Sequence, residues 1–303
     1  MKIQPRIDPT GLVDVRYAAF LETVAHKRAP LHRYCARMTG SVMDGEDIMQ
    51  EALFEAYRKL DSLDDPSALS GWLFRIAHNR CIDFIRKREA RQRAETDFAE
   101  DDIILPVEPA GTAADRAIER LVISLPPKER ACILLKDVLD HSLEEIAELV
   151  DSTVGGVKAA LNRGRTKLAA LPPVPDRVVE HDLELMKLLK RYVALFNRRD
   201  WDGVRALTSA DAQLRVSDCF RGRLADSPYF IEYEKTQDIW KMAVGEMDGE
   251  TVLIVLFLGA SGWRPIYPVR IQAVGGFINR ITDYYACPWI LATAEAVVVS
   301  DGV

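Results

Sequence analysis

Long apolar runs are absent from this sequence. The longest, Val252 to Leu258, is far shorter than the roughly 20 residues that a membrane-spanning helix needs. It predicts a buried strand instead. The first residues, Met1 to Pro5, contain no apolar signal core. We therefore expect a chain that stays in the cytoplasm and has no membrane partner.

Cysteine and histidine are scarce. The five cysteines are scattered and form no C-x-x-C pair, which argues against a disulfide scaffold and against a cysteine zinc site. The five histidines end at His181, so the last third of the chain has none for acid–base chemistry. We therefore expect no metal site, no cofactor, no catalytic residue and no enzymatic activity.

A net positive charge is also missing, since the formal net charge is -6. The total hides an uneven distribution. Residues 41–66 hold eight carboxylates and two cations, whereas residues 75–93 hold seven cations and two carboxylates. Neighbouring segments of opposite sign indicate two different partners.

The apolar spacing predicts helices in the first half of the chain. Apolar residues recur at three- and four-residue steps from about Tyr17 to Arg93, and Ser70 is the predicted cap of a second long helix. The helical pattern resumes from Ala117 to Leu171. Between these regions, residues 94–115 are acidic and contain two prolines, which predicts an extended tether.

The segment from Ser142 to Leu171 has the pattern of a helix-turn-helix. Ser142 and Glu145 have the spacing of a capping box, and Asp151-Ser152 predicts a short turn. A second helix begins near Thr153 and carries a basic run without any acid. Two short helices joined by a tight turn, the second of them basic, are typical of this DNA-binding motif.

The remainder of the chain predicts an α+β domain. Pro172 to Pro175 end the helical region, and an amphipathic helix follows from Leu183 to Asn197. We also predict a helix between Pro228 and Val244. Helices followed by strands favour an α+β domain with a curved antiparallel sheet. The strand candidates are Ala212–Val216, Thr251–Leu258, Ile266–Ala273 and Phe277–Tyr284.

Several of these segments carry a family resemblance. Asp44 to Ala52, Gly71 to Asn79 and Asp83 to Arg88 resemble region 2 of sigma factors, and Leu125 to Arg165 resembles region 4. The chain is identified by this resemblance as an extracytoplasmic-function (ECF) sigma factor of the sigma-70 family. The resemblance implies an RNA polymerase specificity subunit whose partners are the β′ and β subunits of core polymerase and promoter DNA.

The acidic motif is the expected contact with polymerase. The resemblance implies docking on the β′ coiled coil through Asp47, Gln50 and Glu51. These positions share one side of a helix, while Met49, Leu53 and Tyr57 point largely elsewhere. The alternative is a solvated acidic face without a partner.

The basic helix is the expected contact with the −10 element. Trp72, Arg75, Asn79, Asp83 and Arg86 fall on one helix face, which combines an aromatic surface for unstacked bases with cations for phosphates. The resemblance places Asn79 near a captured base. In the alternative, Trp72 is a core residue and the arginines are a solvated helix end. The predicted backbone contacts are Arg80, Arg86, Lys87 and Arg88.

The helix-turn-helix is the expected reader of the −35 element. The sequence departs from the common family pattern at Ala159-Ala160, which predicts weaker or different recognition. Gly155 and Gly156 lower helix propensity by roughly 1 kcal/mol each relative to alanine, unless approach to the DNA groove or a ligand compensates. The candidate contacts are Ser152, Thr153, Gly156, Lys158, Arg163 and Arg165.

The last domain resembles SnoaL-like, or nuclear-transport-factor-2-like, domains. The resemblance rests on Tyr192 to Asp202 and Leu207 to Ala212, and it implies a cone with an apolar cavity. Without a histidine in this domain, only carboxylates such as Asp218 and Asp283 are left among the usual acids and bases, and the alternative is that both are ordinary strand-end residues. The aromatic residues that could line a pocket, or simply form the core, are Trp240, Trp263, Tyr267, Tyr284 and Trp289.

The predicted architecture is therefore multidomain, with two all-α modules before an α+β cone-shaped domain. The resemblance implies regulation built into the chain, and we expect the last domain to pack on the DNA-binding modules and modulate their activity. A helix-turn-helix regulator without polymerase, and a small-molecule sensor or enzyme with a ligand in the last domain, are the alternatives. The predicted parts are region 2 at 15–93, an acidic linker at 94–115, region 4 at 116–171, a proline-rich linker at 172–181 and the SnoaL-like domain at 182–295.

Overall fold

A computed structural model describes residues 15–63, 65–95, 124–170, 183–217, 219–236, 239–294 and 297–299. The chain forms two compact units, which divide between Asp176 and Arg177. The predicted linkers lie almost entirely outside the described residues.

Three long helices begin the first unit. They are α1 (Val15–Thr39), α2 (Val42–Arg58) and α3 (Leu69–Glu95). Ser41 caps α2 by accepting a hydrogen bond from the backbone N–H of Asp44 at 3.3 Å. A Cβ added at Gly45 would lie 2.5 Å from the Cα of Ala36, so glycine permits the close crossing of α1 and α2.

The first unit continues with a second helical module. Its elements are α4 (Pro127–Ile133), a π-helical extension (Leu134–Val138), α5 (Leu143–Leu149) and α6 (Val154–Ala170). The capping box of Ser142 and Glu145 is confirmed, since each side chain bonds the backbone N–H of the other. The turn before α6 places Asp151 in the left-handed region with φ 49°. The predicted helix-turn-helix is therefore present.

The second unit combines helices with a seven-stranded sheet. Helix α7 (Leu183–Asn197) has the predicted bounds and precedes α8 (Trp201–Arg205). The sheet order is β2-β1-β6-β5-β4-β3-β7, with all neighbours antiparallel except β1 and β6, which are parallel. The strands are β1 (Thr208–Val216), β2 (Phe220–Arg223), β3 (Trp240–Met247), β4 (Glu250–Gly259), β5 (Gly262–Val274), β6 (Phe277–Asp283) and β7 (Val297–Val299).

Two local predictions are wrong. The helix predicted from Pro228 to Val244 ends early, as α9 (Tyr229–Lys235), and Trp240–Met247 is strand β3. Six of the eight β3 residues are buried, so the strand lacks the alternation that marks a half-buried strand. Ser70 is not a cap either, because α3 begins at Leu69 after a short 3-10 turn at Pro66–Ala68.

The core of the second unit lies between the sheet and α7. Leu189, Tyr192 and Phe196 project from one side of α7 and are fully buried. The ring of Phe196 contacts that of Trp240 edge to face, with centroids 5.5 Å apart. A short helix, α10 (Pro288–Thr293), follows β6. The predicted order of helical modules followed by an α+β domain is confirmed.

Candidate polymerase and promoter surfaces

The acidic motif lies on the outer side of α2. Met49 and Leu53 are buried against the other helices, whereas Asp47 and Gln50 are half-buried and Glu51 is exposed. The predicted separation of the two helix sides is therefore present. The three polar side chains form a surface, here called the acidic face, that a partner can reach.

A buried carboxylate that the sequence did not single out supports the acidic face. Glu46 is 1% exposed, accepts a hydrogen bond from Gln50 Nε2 at 2.6 Å, and lies 3.7 Å from a guanidinium nitrogen of Arg28. His32 Nε2 lies 3.9 Å from Glu46 and 2.9 Å from the carbonyl oxygen of Val42. Burial lowers the pKa of His32 despite the nearby Glu46 carboxylate. Glu46 thus fixes the position of Gln50 from below.

The predicted −10 surface follows one side of α3. Trp72 is half-buried, while Arg75 and Asn79 are exposed. These three residues line a groove of about 200 Å³ together with Glu55 and Lys59 of α2. Trp72 is therefore not a core residue, and its indole is available at the groove.

Two of the predicted phosphate-binding arginines bond within the protein. Arg80 donates from Nε to Glu55 Oε2 at 2.7 Å, and Arg88 donates to the carbonyl oxygen of Thr39 at 2.8 Å. Hydrogen bonds from Lys59 and Arg80 lower the pKa of Glu55. These contacts connect α3 with α1 and α2. Arg86 and Lys87, by contrast, are exposed.

Thr153 caps the first turn of α6. Thr153 Oγ1 accepts the backbone N–H of Gly156 at 3.0 Å. A Cβ at Gly156 would lie 2.6 Å from Ser152 Oγ, so the close approach of Ser152 accounts for this glycine. Gly155 has no comparable neighbour. Thr153, Gly155 and Lys158 are exposed, and Ser152 and Gly156 are half-buried.

The basic run of α6 is partly neutralised by acids from earlier in the chain. Arg163 Nε bonds Glu129 Oε1 at 2.9 Å, and Lys167 bonds the other oxygen of that carboxylate at 2.8 Å. Arg165 pairs with Asp137 at 2.5 Å. Arg163 and Arg165 therefore hold α6 on the preceding helices as well as facing solvent. Lys158 has no such pairing among the residues that the structure describes.

The two helical modules contact each other. Arg130 of α4 is 6% exposed and donates to the carbonyl oxygens of Met38 and, at 3.1 Å, Leu125. Burial, with nearby Arg88, lowers the pKa of Arg130 to about 10. A groove of about 470 Å³ is shared by both modules. It is lined by His78, Asn79, Ile82, Asp83 and Arg86 of α3 with Lys128 and Val150.

A cavity of about 500 Å³ lies in the second unit. Asp283, at the end of β6, and Tyr267 line it, whereas Asp218 lies outside the described residues. Trp240 belongs to the core, and Trp263 is 42% exposed on the surface. Tyr284 and Trp289 do not line the cavity. The sequence missed three tyrosines that do: Tyr229, Tyr233 and Tyr285.

Comparison with known proteins identifies the helical modules. Residues 23–91 match Sigma-70 region 2, and residues 115–168 match Sigma-70, region 4. The ECF RNA polymerase sigma factor SigW of Bacillus subtilis is 35% identical over 162 residues, which cover 50% of this chain and 87% of SigW. The chain belongs to the ECF sigma factor family.

Another relative of this ECF sigma factor is longer than this chain. SigG of Mycobacterium tuberculosis, also named an ECF RNA polymerase sigma factor, is 31% identical over 230 residues. That match covers 66% of this chain and 61% of SigG, so the chain spans about three-fifths of that relative's length. The solved structure of the Mycobacterium tuberculosis ECF sigma factor SigJ is 20% identical and covers 87% of this chain and 95% of its own, with a TM-score of 0.35.

The two family matches contain all the predicted binding residues of this ECF sigma factor, whereas Asp283 lies beyond both. In the described parts of the chain, no group of three or more His, Cys, Asp or Glu residues could hold a metal ion. No helix among those residues is long and apolar enough to cross a membrane.

Proposed function

We propose that this ECF sigma factor binds core RNA polymerase in the cytoplasm and directs promoter-specific transcription initiation. The observation that supports this function is the presence, in one helical unit, of the acidic face on α2 and two separate basic surfaces on α3 and α6. Asp47, Gln50 and Glu51 contact the β′ subunit in this proposal. A second contact, with the β subunit, comes from the region 4 module.

The acidic face is tested by measuring the affinity for core polymerase. Replacing Asp47, Gln50 and Glu51 together by alanine should weaken binding at least about tenfold, because charged contacts at such an interface are each worth one or more kcal/mol. Glu22→Ala on α1 removes another exposed carboxylate and should leave the affinity unchanged. The triple variant removes two charges and Glu22→Ala removes one, so a loss of binding free energy in Glu22→Ala of half the size or more would show that net charge alone matters and would remove the acidic face from the proposal.

We assign −10 binding to Trp72, Arg75, Asn79, Arg80, Arg86, Lys87 and Arg88. Trp72 and Asn79 flank a groove beside exposed cations, an arrangement that suits an unstacked base with its phosphate. Trp72→Ala should reduce strand opening on promoter DNA while leaving the affinity for core polymerase unchanged. Permanganate footprinting of the opened DNA measures this, and normal opening by the variant would argue against the assignment.

We assign −35 binding to Ser152, Thr153, Gly156, Lys158, Arg163 and Arg165. Arg163 and Arg165 are already paired with acids, so a phosphate contact adds less electrostatic stabilisation for them than for Lys158. Lys158→Ala should lower the magnitude of the salt dependence of promoter binding by about one unit of slope. Lys187→Ala, an exposed lysine on α7, is the control. An unchanged slope for Lys158→Ala would count against a phosphate contact.

We also propose that the C-terminal domain modulates the activity of the helical modules. Residues 172–181 include three prolines and are few, so the tethered neighbours have a high effective concentration. Transcription with core polymerase is compared between the full chain and a chain ending at Leu171. Unchanged activity and unchanged promoter choice would refute modulation. Failure of both proteins to initiate at all would instead refute sigma activity.

A regulator that works without polymerase is the competing function for the helix-turn-helix. It leaves the acidic face and the Trp72 groove unused. Co-purification separates the two functions, because a sigma factor associates with core polymerase and a conventional regulator binds its operator alone.

A further inference from the structure

We infer that the C-terminal domain contains a binding site for a neutral, largely apolar small molecule that carries a hydroxyl group. The polar end of this site is formed by Asp283 and the hydroxyl groups of Tyr229, Tyr233 and Tyr267. The inference concerns the second unit alone and does not depend on sigma activity.

The first step is the cluster around Asp283. This carboxylate is 1% exposed, and its Oδ2 accepts hydrogen bonds from Tyr229 and Tyr233, both at 2.7 Å. The two tyrosines are four residues apart on α9, so both hydroxyls reach the same oxygen. The backbone N–H of Tyr285 donates to Oδ1 at 2.9 Å. Three donors thus compensate for the removal of the carboxylate from water.

The second step is the direction of the hydrogen bonds. An ionised carboxylate only accepts, so Tyr229 and Tyr233 must donate their single hydroxyl protons to it. Tyr267 Oη lies 3.1 Å from Tyr233 Oη. Because the proton of Tyr233 is already used, Tyr267 donates to Tyr233. The hydroxyl oxygens of Tyr229 and Tyr267 can therefore only accept a hydrogen bond from a ligand in the cavity. The ligand must supply the donor.

The third step concerns charge. Burial raises the pKa of Asp283 to about 6, although the hydrogen bonds from Tyr233, Tyr229 and the Tyr285 backbone lower it, so the group is ionised at pH 7.5. Burial also raises the pKa of each of the three tyrosines, which therefore stay neutral. At the rim, Lys235 pairs with Glu232 at 2.7 Å. The inner end of the site is negative, which disfavours an anionic ligand.

The fourth step concerns size and lining. The cavity volume of about 500 Å³ lies within the usual range for small-molecule sites. Val216, Phe220 and Pro228 supply apolar wall, while the polar groups converge at Asp283. A mostly apolar molecule whose hydroxyl donates to Tyr267, the tyrosine of the cluster that does not itself bond Asp283, satisfies both parts of this lining.

Three naphthalene probes test the required chemistry on the full chain at pH 7.5. They are 2-naphthol, which donates a hydrogen bond, 2-methoxynaphthalene, which has similar size but no donor, and 2-naphthoate, which is an anion. Binding is measured by isothermal titration calorimetry. We expect 2-naphthol to bind about tenfold more tightly than the methoxy compound, as one hydrogen bond is worth about 1 kcal/mol or slightly more. We expect the naphthoate to bind most weakly.

Variants locate the site. Tyr267→Phe should reduce the preference for 2-naphthol over 2-methoxynaphthalene to less than about threefold and leave the affinity of the methoxy compound unchanged. Tyr192→Phe removes a hydroxyl that is buried on α7 outside the cavity wall, and should preserve the preference. Near-ultraviolet circular dichroism checks that both variants are folded.

Three results would overturn the inference. The first is equal affinity of all three probes for the unaltered chain, and the second is an unchanged preference in both Tyr267→Phe and Asp283→Asn. The third is no binding of any probe at millimolar concentration, because the cavity is large enough for a naphthalene ring.

Discussion

The two units each bury a carboxylate, and they surround it differently. Glu46, in the helical unit, lies beside the guanidinium of Arg28 and the amide of Gln50, whereas Asp283, in the C-terminal unit, is held by two tyrosine hydroxyls and a backbone N–H. Glu46 has a nearby cation and supports a surface. Asp283 has only neutral donors and faces a cavity. A buried acid with a cation is a structural device, while one with neutral donors beside open space is suited to binding.

The largest test of this comparison is Glu46→Gln. Glu46 is buried and its partner Arg28 is half-buried, so removing the carboxylate charge leaves a partly desolvated guanidinium without this partner, and the helical unit should lose about 3 kcal/mol of its free energy of unfolding. Hydrogen exchange of α1 and α2 peptides in the full chain measures the loss. Glu22→Gln, at an exposed position of α1, should change it by less than about 0.5 kcal/mol. A similarly small effect of Glu46→Gln would mean that the ion pair is not structural.

The next test is the pH dependence of the C-terminal unit. The pKa of Asp283 is raised to about 6 in the folded chain from an ordinary 3.8, so the folded state binds this proton more tightly than the unfolded state. The contribution to stability is therefore full below about pH 4 and is lost as the pH rises to about 6, by at most ~3 kcal/mol. The groups facing the carboxyl are tyrosines, which do not titrate in this range.

Asp283→Asn should remove this pH-dependent part. The substitution also lowers the free energy of unfolding, because it places an amide group against the backbone N–H of Tyr285. This loss does not vary with pH. Hydrogen exchange of β4 peptides between pH 4 and 7 compares it with Asp202→Asn, whose carboxyl is fully exposed on α8. If the two variants show the same pH profile, Asp283 is not the titrating group and the contrast with Glu46 is lost.

A buried cation extends the comparison to the contact between the helical modules. Arg130 of α4 donates to the backbone carbonyls of Met38 and Leu125, so it connects α4 with the end of α1. Arg130→Met should lower the stability of this contact by about 2 kcal/mol, the usual value for hydrogen bonds of a charged donor. Fluorescence energy transfer between labels on α1 and α6 would show a longer mean distance. An unchanged distance would show that Arg130 stabilises only its own helical module and not the contact between the two modules.

The smallest effect is expected for an exposed carboxylate. Hydrogen bonds from the backbone and side chain of Ser142 lower the pKa of Glu145, so its stabilisation is present at neutral pH and is lost on acidification, opposite to Asp283. Glu145→Ala should cost at most about 1 kcal/mol at pH 7. Urea unfolding of the helical unit followed by circular dichroism at pH 7 and pH 4 measures it. A larger cost at pH 4 than at pH 7 would contradict the assigned direction.

Local features of this fold could be predicted from the sequence, and long-range ones could not. Helix α7 has its predicted bounds because its amphipathic pattern is contained within the helix. The capping box depends on Ser142 and Glu145 alone. Strand β3 was missed because its burial comes from neighbours elsewhere in the chain, and those neighbours remove the alternation that would reveal it.

The candidate site shows the same limit. The helix side shared by Asp47, Gln50 and Glu51 follows from helical geometry. The pairing of Arg163 with Glu129 joins positions that are 34 residues apart, so the run around Arg163 was taken for uncompensated charge. The two tyrosines whose hydroxyls donate to Asp283 lie 50 and 54 residues before it, and no local pattern connects them with it.

The parallel pairing of β1 and β6 has a consequence for synthesis of the chain. Thr208 pairs with Ile278, so β1 leaves the ribosome long before its neighbour has been made. Until β6 emerges, β1 can pair only with β2, and the carboxylate that organises the tyrosines does not yet exist. The helical modules are complete throughout this interval and can begin to fold before the C-terminal sheet closes.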